Sequence, residues 1–454
     1  MAYSRMGLVA LAALVLAGAA QAAEPPRLPM AETEVAHPAL PPILSPRDRA
    51  TVIDAILADR LDRVIPQVMQ VHQIDMWVLV AREYLEDPVV ATMLDAKSLR
   101  ARRRTILVFY NPGGGKPVER LTVSRYGLGG LFQPAWNPDV EPDQWKALAQ
   151  LIAARNPQKI ALNVSSKSAF GDGLTKSQHD ELVAALTPQL RERIVSGEGP
   201  SISWLETRTP MEMQLYPGIL RLAHAVLGEG HSAKVVKPGV TTTDDVAWFY
   251  RARLSELGVD TWFHPSVGVH RQGVKDLLSG DTVIQPGDLI WTDFGITYLR
   301  LNTDTQHLAY VLKPGETDAP AGLKAGLAAA NRIQDAVTGA FQVGISGNDI
   351  LAAARKTAMD QGLKPSIYSH PLGYHGHGAG PAIGFWDNQN PDPRGEGRVN
   401  PGTVWSIELS AFAPVPEWGG QEVQFRTEED AFYDGKTVRY LDGRQTSLTL
   451  IPSK

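Results

Sequence analysis

The sequence predicts a chain of the α+β class in two domains, and three observations carry that prediction. The chain has 454 residues, more than one ordinary domain needs and enough for two sizeable cores. Its first part alternates short apolar strands with segments of helical periodicity. Its second part carries a strand pair at 291–312, two Ala-rich helical segments, and two further strands at 403–410 and 421–430, each strand region bearing acids.

Composition bounds the function. A hydrophobic content of 43% with 20% charged residues describes a globular protein. A net charge of −5 weighs against a nucleic-acid partner. The basic run Arg100 to Arg104 leads straight into the apolar residues 105–110, so it reads as a solvated strand entrance. Cysteine is absent, which excludes disulfides and a thiolate nucleophile and leaves His, Asp and Glu for any metal site.

The first 22 residues read as a secretory signal peptide. Arg5 is the positive start, residues 8–17 are the apolar stretch, and Ala20-Gln21-Ala22 is the small-x-small cleavage site. The apolar run is too short to span a bilayer, which takes about 20 residues. No membrane anchor is therefore expected after cleavage, and a secreted, bacterial periplasmic protein is. Residues 23–44 form a Pro-rich extended leader.

A first domain is expected over 45–206. Ser45, Pro46 and Asp48 start a helix in which Ile53, Leu57, Leu61, Val64 and Val68 recur at helical spacing, with Pro66 expected to kink or end it. Strands are expected at 76–80, 105–110, 121–124 and 159–163, and helices at 142–154 and 176–186. The glycine run 113–115 lacks the Lys-Ser/Thr and the following helix of a phosphate loop. With no clustered His or acidic motif, this domain is assigned no chemistry.

The second domain is expected over 207–454, after a connection at 203–210. A helical stretch at 211–227 is interrupted at Pro217-Gly218, and Thr241 to Asp245 caps a helix running to Leu257. Residues 291–312 read as two strands that bring Asp293 and Asp304, eleven positions apart, near one point. Buried carboxylates are costly unless paired, hydrogen-bonded or on a metal. Further donors follow. Three of the eleven histidines, His370, His375 and His377, fall in one Gly-rich segment, whose glycines let backbone approach a ligand or metal closely. Glu408 lies on an apolar strand. Gln424, Arg426 and Glu428 share one strand face, with Glu429 and Asp430 beyond them.

In order these residues are Asp, Asp, His, Glu, Glu, and from about Thr207 onward the chain resembles the pita-bread metallopeptidases: aminopeptidase P, prolidase and methionine aminopeptidase, with creatinase as a non-metal relative. Asp293-Phe-Gly and Asp304-Thr match the family's paired aspartates, His377-Gly-Ala-Gly its HGxG histidine, Glu408 its strand glutamate, and Arg426-Thr-Glu428-Glu429 its RxE(D/N) ending. The resemblance implies a C-terminal pita-bread fold behind a smaller α/β domain of the creatinase type. It implies two divalent metal ions, Mn²⁺ before Co²⁺ or Zn²⁺ given an oxygen-rich donor set. Asp293 would hold one metal, His377 and Glu408 the other, and Asp304 and Glu428 would bridge, with Glu429 as the fallback for Glu428. The implied reaction is hydrolysis of a peptide bond near the substrate's N-terminus, of the Xaa-Pro aminopeptidase or dipeptidase type, by a hydroxide between the metals, with Glu408 shuttling the proton. A homodimer or higher homo-oligomer is implied by the same analogy.

Three positions depart from the family pattern. Asp276 stands where relatives carry a His about seventeen residues before the first Asp. No His follows His377 at the usual seven to nine residues, where Gly384 and Trp386 lie. His307 replaces the Arg of the family's DxTRT. His370 and His375 are then the candidates for the catalytic contacts, and His270 for substrate binding. The alternative is a non-peptidase or inactive pita-bread protein that binds or hydrolyses another small amide.

Overall fold

Ser45 accepts a hydrogen bond from the Asp48 backbone N–H and so starts the helix Pro46–Val71, the first element of this computed structural model, which describes residues 39–453. The expected signal peptide and most of the leader lie outside the described residues. Among the described residues no helix is long and apolar enough to cross a membrane.

The helix does not end at Pro66 but continues to Val71. Val64, Ile65, Val68 and Met69 are buried on both sides of the proline and pack with Trp77, Leu79 and Phe109. An interior proline costs about 3 kcal/mol, and burying one such side chain returns about 1.5–3 kcal/mol, so packing carries the helix through.

Beneath it lies a six-stranded sheet in the order β4-β3-β2-β1-β5-β6. Its strands are β1 (Met76–Arg82), β2 (Arg104–Tyr110), β3 (Glu119–Thr122), β4 (Gln133–Pro134), β5 (Ile160–Leu162) and β6 (Ile194–Ser196). Strand alternation splits the sheet's side chains between two cores. Trp77 and Leu79 face the first helix, while Met76, Val78 and Val80 pack with Leu148 and Ile152 of the helix Gln144–Arg155 and Leu182 of the helix Lys176–Ala185.

The connection expected at 203–210 is shorter. A helix, Glu198–Glu206, occupies its first part, and the next helix, Pro210–Gly230, starts with Thr209 and Glu212 in a reciprocal capping box. That second helix also runs unbroken through its proline, Pro217, with Tyr216, Ile219 and Leu220 buried around it. Arg60 ties the sides together. Its guanidinium is fully buried, pairs with Glu212 at 2.8 Å, and donates to the carbonyls of Thr207 and Trp204. Arg208 pairs with the other Glu212 oxygen at 3.0 Å.

The second sheet has ten strands, in the order β13-β15-β16-β12-β9-β7-β8, with β14 on β15, β17 on β16 and β18 on β12. They are β7 (Ser266–His270), β8 (Leu278–Ser279), β9 (Leu289–Phe294), β12 (Thr305–Val311), β13 (Pro365–Ile367), β14 (His370–Leu372), β15 (Thr403–Val415), β16 (Gln421–Tyr433), β17 (Val438–Tyr440) and β18 (Thr449–Ile451). A two-residue pair, β10 (Thr297–Tyr298) with β11 (Leu301–Asn302), sits between β9 and β12 in the chain. The helices Ala321–Gly339 and Gly347–Asp360 bury Trp405, Ile407 and Phe425 of β15 and β16. Those are odd-numbered positions, so the even-numbered Glu408 and Glu428 point to the opposite face.

Candidate metal centre

The register of four neighbouring strands sets the acids in one row. Asp293 on β9 pairs with Gln306 on β12, Gln306 with Glu428 on β16, and Glu428 with Glu408 on β15. Directly opposed residues share a face with Cβ atoms about 4.5–5.5 Å apart. Asp304, two residues before Gln306, joins the row from the residue that precedes β12. Its backbone N–H donates to both oxygens of Asp430, at 3.2 and 3.3 Å, which fixes its entry angle.

The histidine brought to this row is His370, not His377. β14 pairs His370 with Ser406, two residues from Glu408 on the same face. His370 Nε2 stands 3.6 Å from Asp304, 3.6 Å from Glu428 and 3.9 Å from Glu408. Asp304, His370 and Glu428 are all buried and form a group able to hold a metal ion. The expected HGxG ligand, His377, sits on the exposed side of the loop, its ring edge-on to Trp262 and to His370 with centroids 5.2 and 4.8 Å away. It lies seven residues after His370, the spacing expected of the second histidine. The absence noted after His377 therefore came from counting from His377 instead of His370.

The other candidates go elsewhere. His375 stacks on Phe170 of the first sheet's layer at 4.8 Å, and burial with the nearby Arg208 lowers its pKa to about 4; it is a packing residue away from the acids. His270 ends β7 and lines a separate cavity with Arg426. The glycines of this loop pack closely against protein groups. A Cβ at Gly376 would stand 2.3 Å from the Trp262 ring, so the loop packs there only with glycine.

Glu429 is turned away from the acid row. Burial alone would raise its pKa, but the His307 and His224 imidazoles hold it down to about 2. His307 Nε2 lies 2.9 Å and His224 Nε2 3.4 Å from its oxygens, and the Gln445 backbone N–H donates at 2.8 Å. His307 therefore partners Glu429 behind the row and leaves the acid face untouched. These three residues form a second buried group with the donors for a metal.

The electrostatics of the row call for cations. Asp293, Asp304 and Glu408 all have pKa values well above the usual carboxylate range, first because burial disfavours the charge and then because Glu428 repels it. Asp293 Oδ1, Asp304 Oδ1 and His370 Nε2 are buried without a hydrogen-bond partner. Gln306 escaped the sequence reading. Its amide donates to Glu408 at 2.8 Å and Glu428 at 2.7 Å, and its oxygen accepts from Trp291 Nε1 at 2.8 Å. Period-two alternation from Asp304 would have pointed to it.

Comparison with known proteins agrees with this geometry. Residues 218–432, which contain every residue of the row, match the model of metallopeptidase family M24. Comparison with curated protein sequences gives no significant match. Among solved structures, the X-Pro aminopeptidase of Thermotoga maritima superposes with a TM-score of 0.61 at 15% identity, covering 85% of this chain and 99% of that one. The Xaa-Pro dipeptidase of Bacillus anthracis gives 0.56 at 14% identity, covering 89% and 100%. The N-terminal domain of the FACT complex subunit SPT16 from chickpea gives 0.53 at 12% identity, covering 86% and 97%, so the shared fold does not by itself specify a peptidase. With the acid row, the curled ten-stranded sheet and the family match falling on the same residues, residues 218–432 match a metallopeptidase family M24 domain, and the chain folds its C-terminal part as a pita-bread domain behind an N-terminal α/β domain.

Proposed function

We propose that this protein is a dinuclear metal-dependent peptidase that removes an N-terminal residue from short peptides of the Xaa-Pro type. One observation carries the reading: four carboxylates and one imidazole converge on one face, and Asp293 Oδ1, Asp304 Oδ1 and His370 Nε2 there are buried without a hydrogen-bond partner. Asp293, Asp304, His370, Glu408 and Glu428 are the proposed ligands. These five side chains would hold the ions, with His370 beside Asp304, Glu408 and Glu428. Oxygen-rich donors favour Mn²⁺. Such ions, when bound, would neutralise the row, acidify water and polarise the peptide carbonyl.

The chain's own groups do the rest. Glu408, whose carboxyl is pushed upward by burial, is suited to holding a proton at Oε and passing it to the departing nitrogen. Gln306 fixes Glu408 and Glu428 in place from between them. His377, exposed beside His370 with its ring edge-on to Trp262, is the residue we assign to hydrogen-bond the substrate carbonyl. We extend the proposal to a secreted, periplasmic location on the strength of the sequence of residues 1–22 alone.

The test is metal analysis of purified protein with a panel of dipeptides and Xaa-Pro tripeptides under Mn²⁺, Co²⁺ and Zn²⁺. Two equivalents of metal with release of the N-terminal residue are expected. Less than one equivalent after loading, together with no hydrolysis across the panel, overturns the proposal.

A further inference from the structure

Behind the acid row, side chains from four segments meet. His224 comes from the helix Pro210–Gly230, His307 from β12, Glu429 from β16 and Asp442 from the bend after β17. Glu429 follows Glu428 on the strand and so points to the opposite face. His224, His307 and Glu429 are at most 2% exposed. The proposed peptidase chemistry uses none of them.

Their geometry is that of a donor set. His224 Nε2 and Glu429 Oε2 lie 3.4 Å apart, and neither is satisfied by a hydrogen bond. Two ligands of a tetrahedral Zn²⁺, each about 2.0–2.2 Å from the ion, stand roughly 3.3–3.5 Å from each other. The gap between His224 and Glu429 already has that width. His307 Nε2 lies 2.9 Å from Glu429 Oε1, so that ring has to give slightly. One ligand atom from each of the three residues falls within 4.8 Å of the others. The surroundings fix the donors. His224 Nδ1 donates to Asp442 at 3.1 Å, and Arg221 holds Asp442 at 2.7 Å. That bond leaves Nε2 as the lone-pair nitrogen, and a carboxylate orients ligating histidines in this way. The Gln445 backbone N–H donates to Glu429 Oε1 at 2.8 Å, which leaves Oε2 open. His307 also stands where the family pattern has arginine. An arginine can only pair with the acid behind it, whereas an imidazole can also ligate.

We propose that His224, His307 and Glu429 bind a structural Zn²⁺ ion, separate from the ions of the acid row. Two nitrogens and one oxygen suit Zn²⁺, as the oxygen-rich row suits Mn²⁺. One divalent ion balances the charges of Glu429 and Asp442, which favours their burial. Without the ion the imidazoles hold Glu429 as ion pairs, and zinc takes the place of their protons. It ties the helix to β12 and β16, the strands that carry Gln306 and Glu428, and so braces the acid row from behind. The site does not depend on the peptidase reading.

The experiment counts metal on full-length protein dialysed against Zn²⁺ alone. It compares wild type, the double variant Asp304→Ala with His370→Ala, and that double variant with His307→Gln added. Wild type should hold three equivalents, against two under Mn²⁺, the weakest-binding ion of the divalent series. The double variant, its acid row disabled, should retain one tightly bound equivalent and melt higher with Zn²⁺ than without it. In that background Asp442→Asn should weaken binding by about 10- to 100-fold, and His307→Gln, which removes a ligand, by more. No zinc in the double variant, or zinc held equally well with His307→Gln, overturns the site and leaves these residues an ion-pair network. If the acid row itself binds no metal, wild type should still hold one equivalent that His307→Gln removes. If the variants fail to fold, titration of wild type with Co²⁺ decides. An equivalent with the strong visible absorption of a tetrahedral ion upholds the site, and saturation without it overturns it.

Discussion

His370 Nε2 is 3.6 Å from an oxygen of Asp304, while the histidine seven residues later, His377, stays outside the acids with its ring against Trp262. The two imidazoles are edge-on neighbours with different surroundings, and substitution should separate them. His370→Ala should lose one of two metal equivalents and all measurable turnover. His377→Ala should keep both equivalents and lower kcat by about 10²–10⁴, the range for one positioned hydrogen-bonding or proton-transfer group. Metal counting with steady-state kinetics on the same samples checks it; a two-metal His370→Ala enzyme would refute the ligand assignment.

That distinction was beyond local pattern. Asp293, Asp304, Glu408 and Glu428 were legible because each ends or interrupts an apolar, strand-forming run, and a lone carboxylate there needs a reason. The histidine was not, because HGxG around His377 looks like a site, whereas His370 owes its position to pairing with Ser406, 36 residues away. Gln306 and Asp430 escaped for a similar reason, since their roles exist only once β9, β12 and β16 lie side by side. Pro66 and Pro217 misled in the other direction. Each signals a local break, and in each case long-range burial of the neighbouring apolar residues overrides it.

Removing metal should invert the protein's response to pH. In metal-free protein Asp293, Asp304 and Glu408 have folded pKa values raised by burial and by Glu428. The folded state then holds more protons than the unfolded one, so stability falls as pH rises. The favourable contribution is complete below the unfolded carboxyl pKa of about 4 and is lost as pH climbs through the raised folded values. Chelated protein should therefore melt higher at about pH 5 than at about pH 8, and metal-loaded protein should show the reverse because metal binding competes with protons. Thermal melts with and without chelator decide it, and matching slopes would refute the row as a metal site.

Gln306 should tune the metals without touching them. It donates to Glu408 and Glu428 at once and is itself oriented by Trp291. Partners of this kind typically change metal affinity or activity by about 10- to 100-fold. Gln306→Leu should raise the metal dissociation constant by that factor while kcat at saturating metal falls less. Titration of metal-stripped protein, with activity as a second readout, measures both; unchanged affinity would leave Gln306 a packing residue.

Arg60 is the residue whose loss should cost most away from the acids. Its guanidinium is fully buried, pairs with Glu212 at 2.8 Å, lies 4.3 Å from the Trp204 ring centre, and donates to backbone carbonyls on the connection between the two sheets. Removing one partner of a buried pair leaves the other charged and unsolvated, at about 3–5 kcal/mol. Arg208 still faces Glu212, which softens the loss. Arg60→Ala should therefore lower stability by about 3 kcal/mol, the low end of that range. The double variant Arg60→Met with Glu212→Leu should recover none of it, because it strips the buried Arg208 of its paired carboxylate and breaks the Thr209–Glu212 capping box. Denaturant midpoints for the single and double variants test this, and a double variant more stable than the single one would refute the pairing of Arg208 with Glu212 as a stabilising contact.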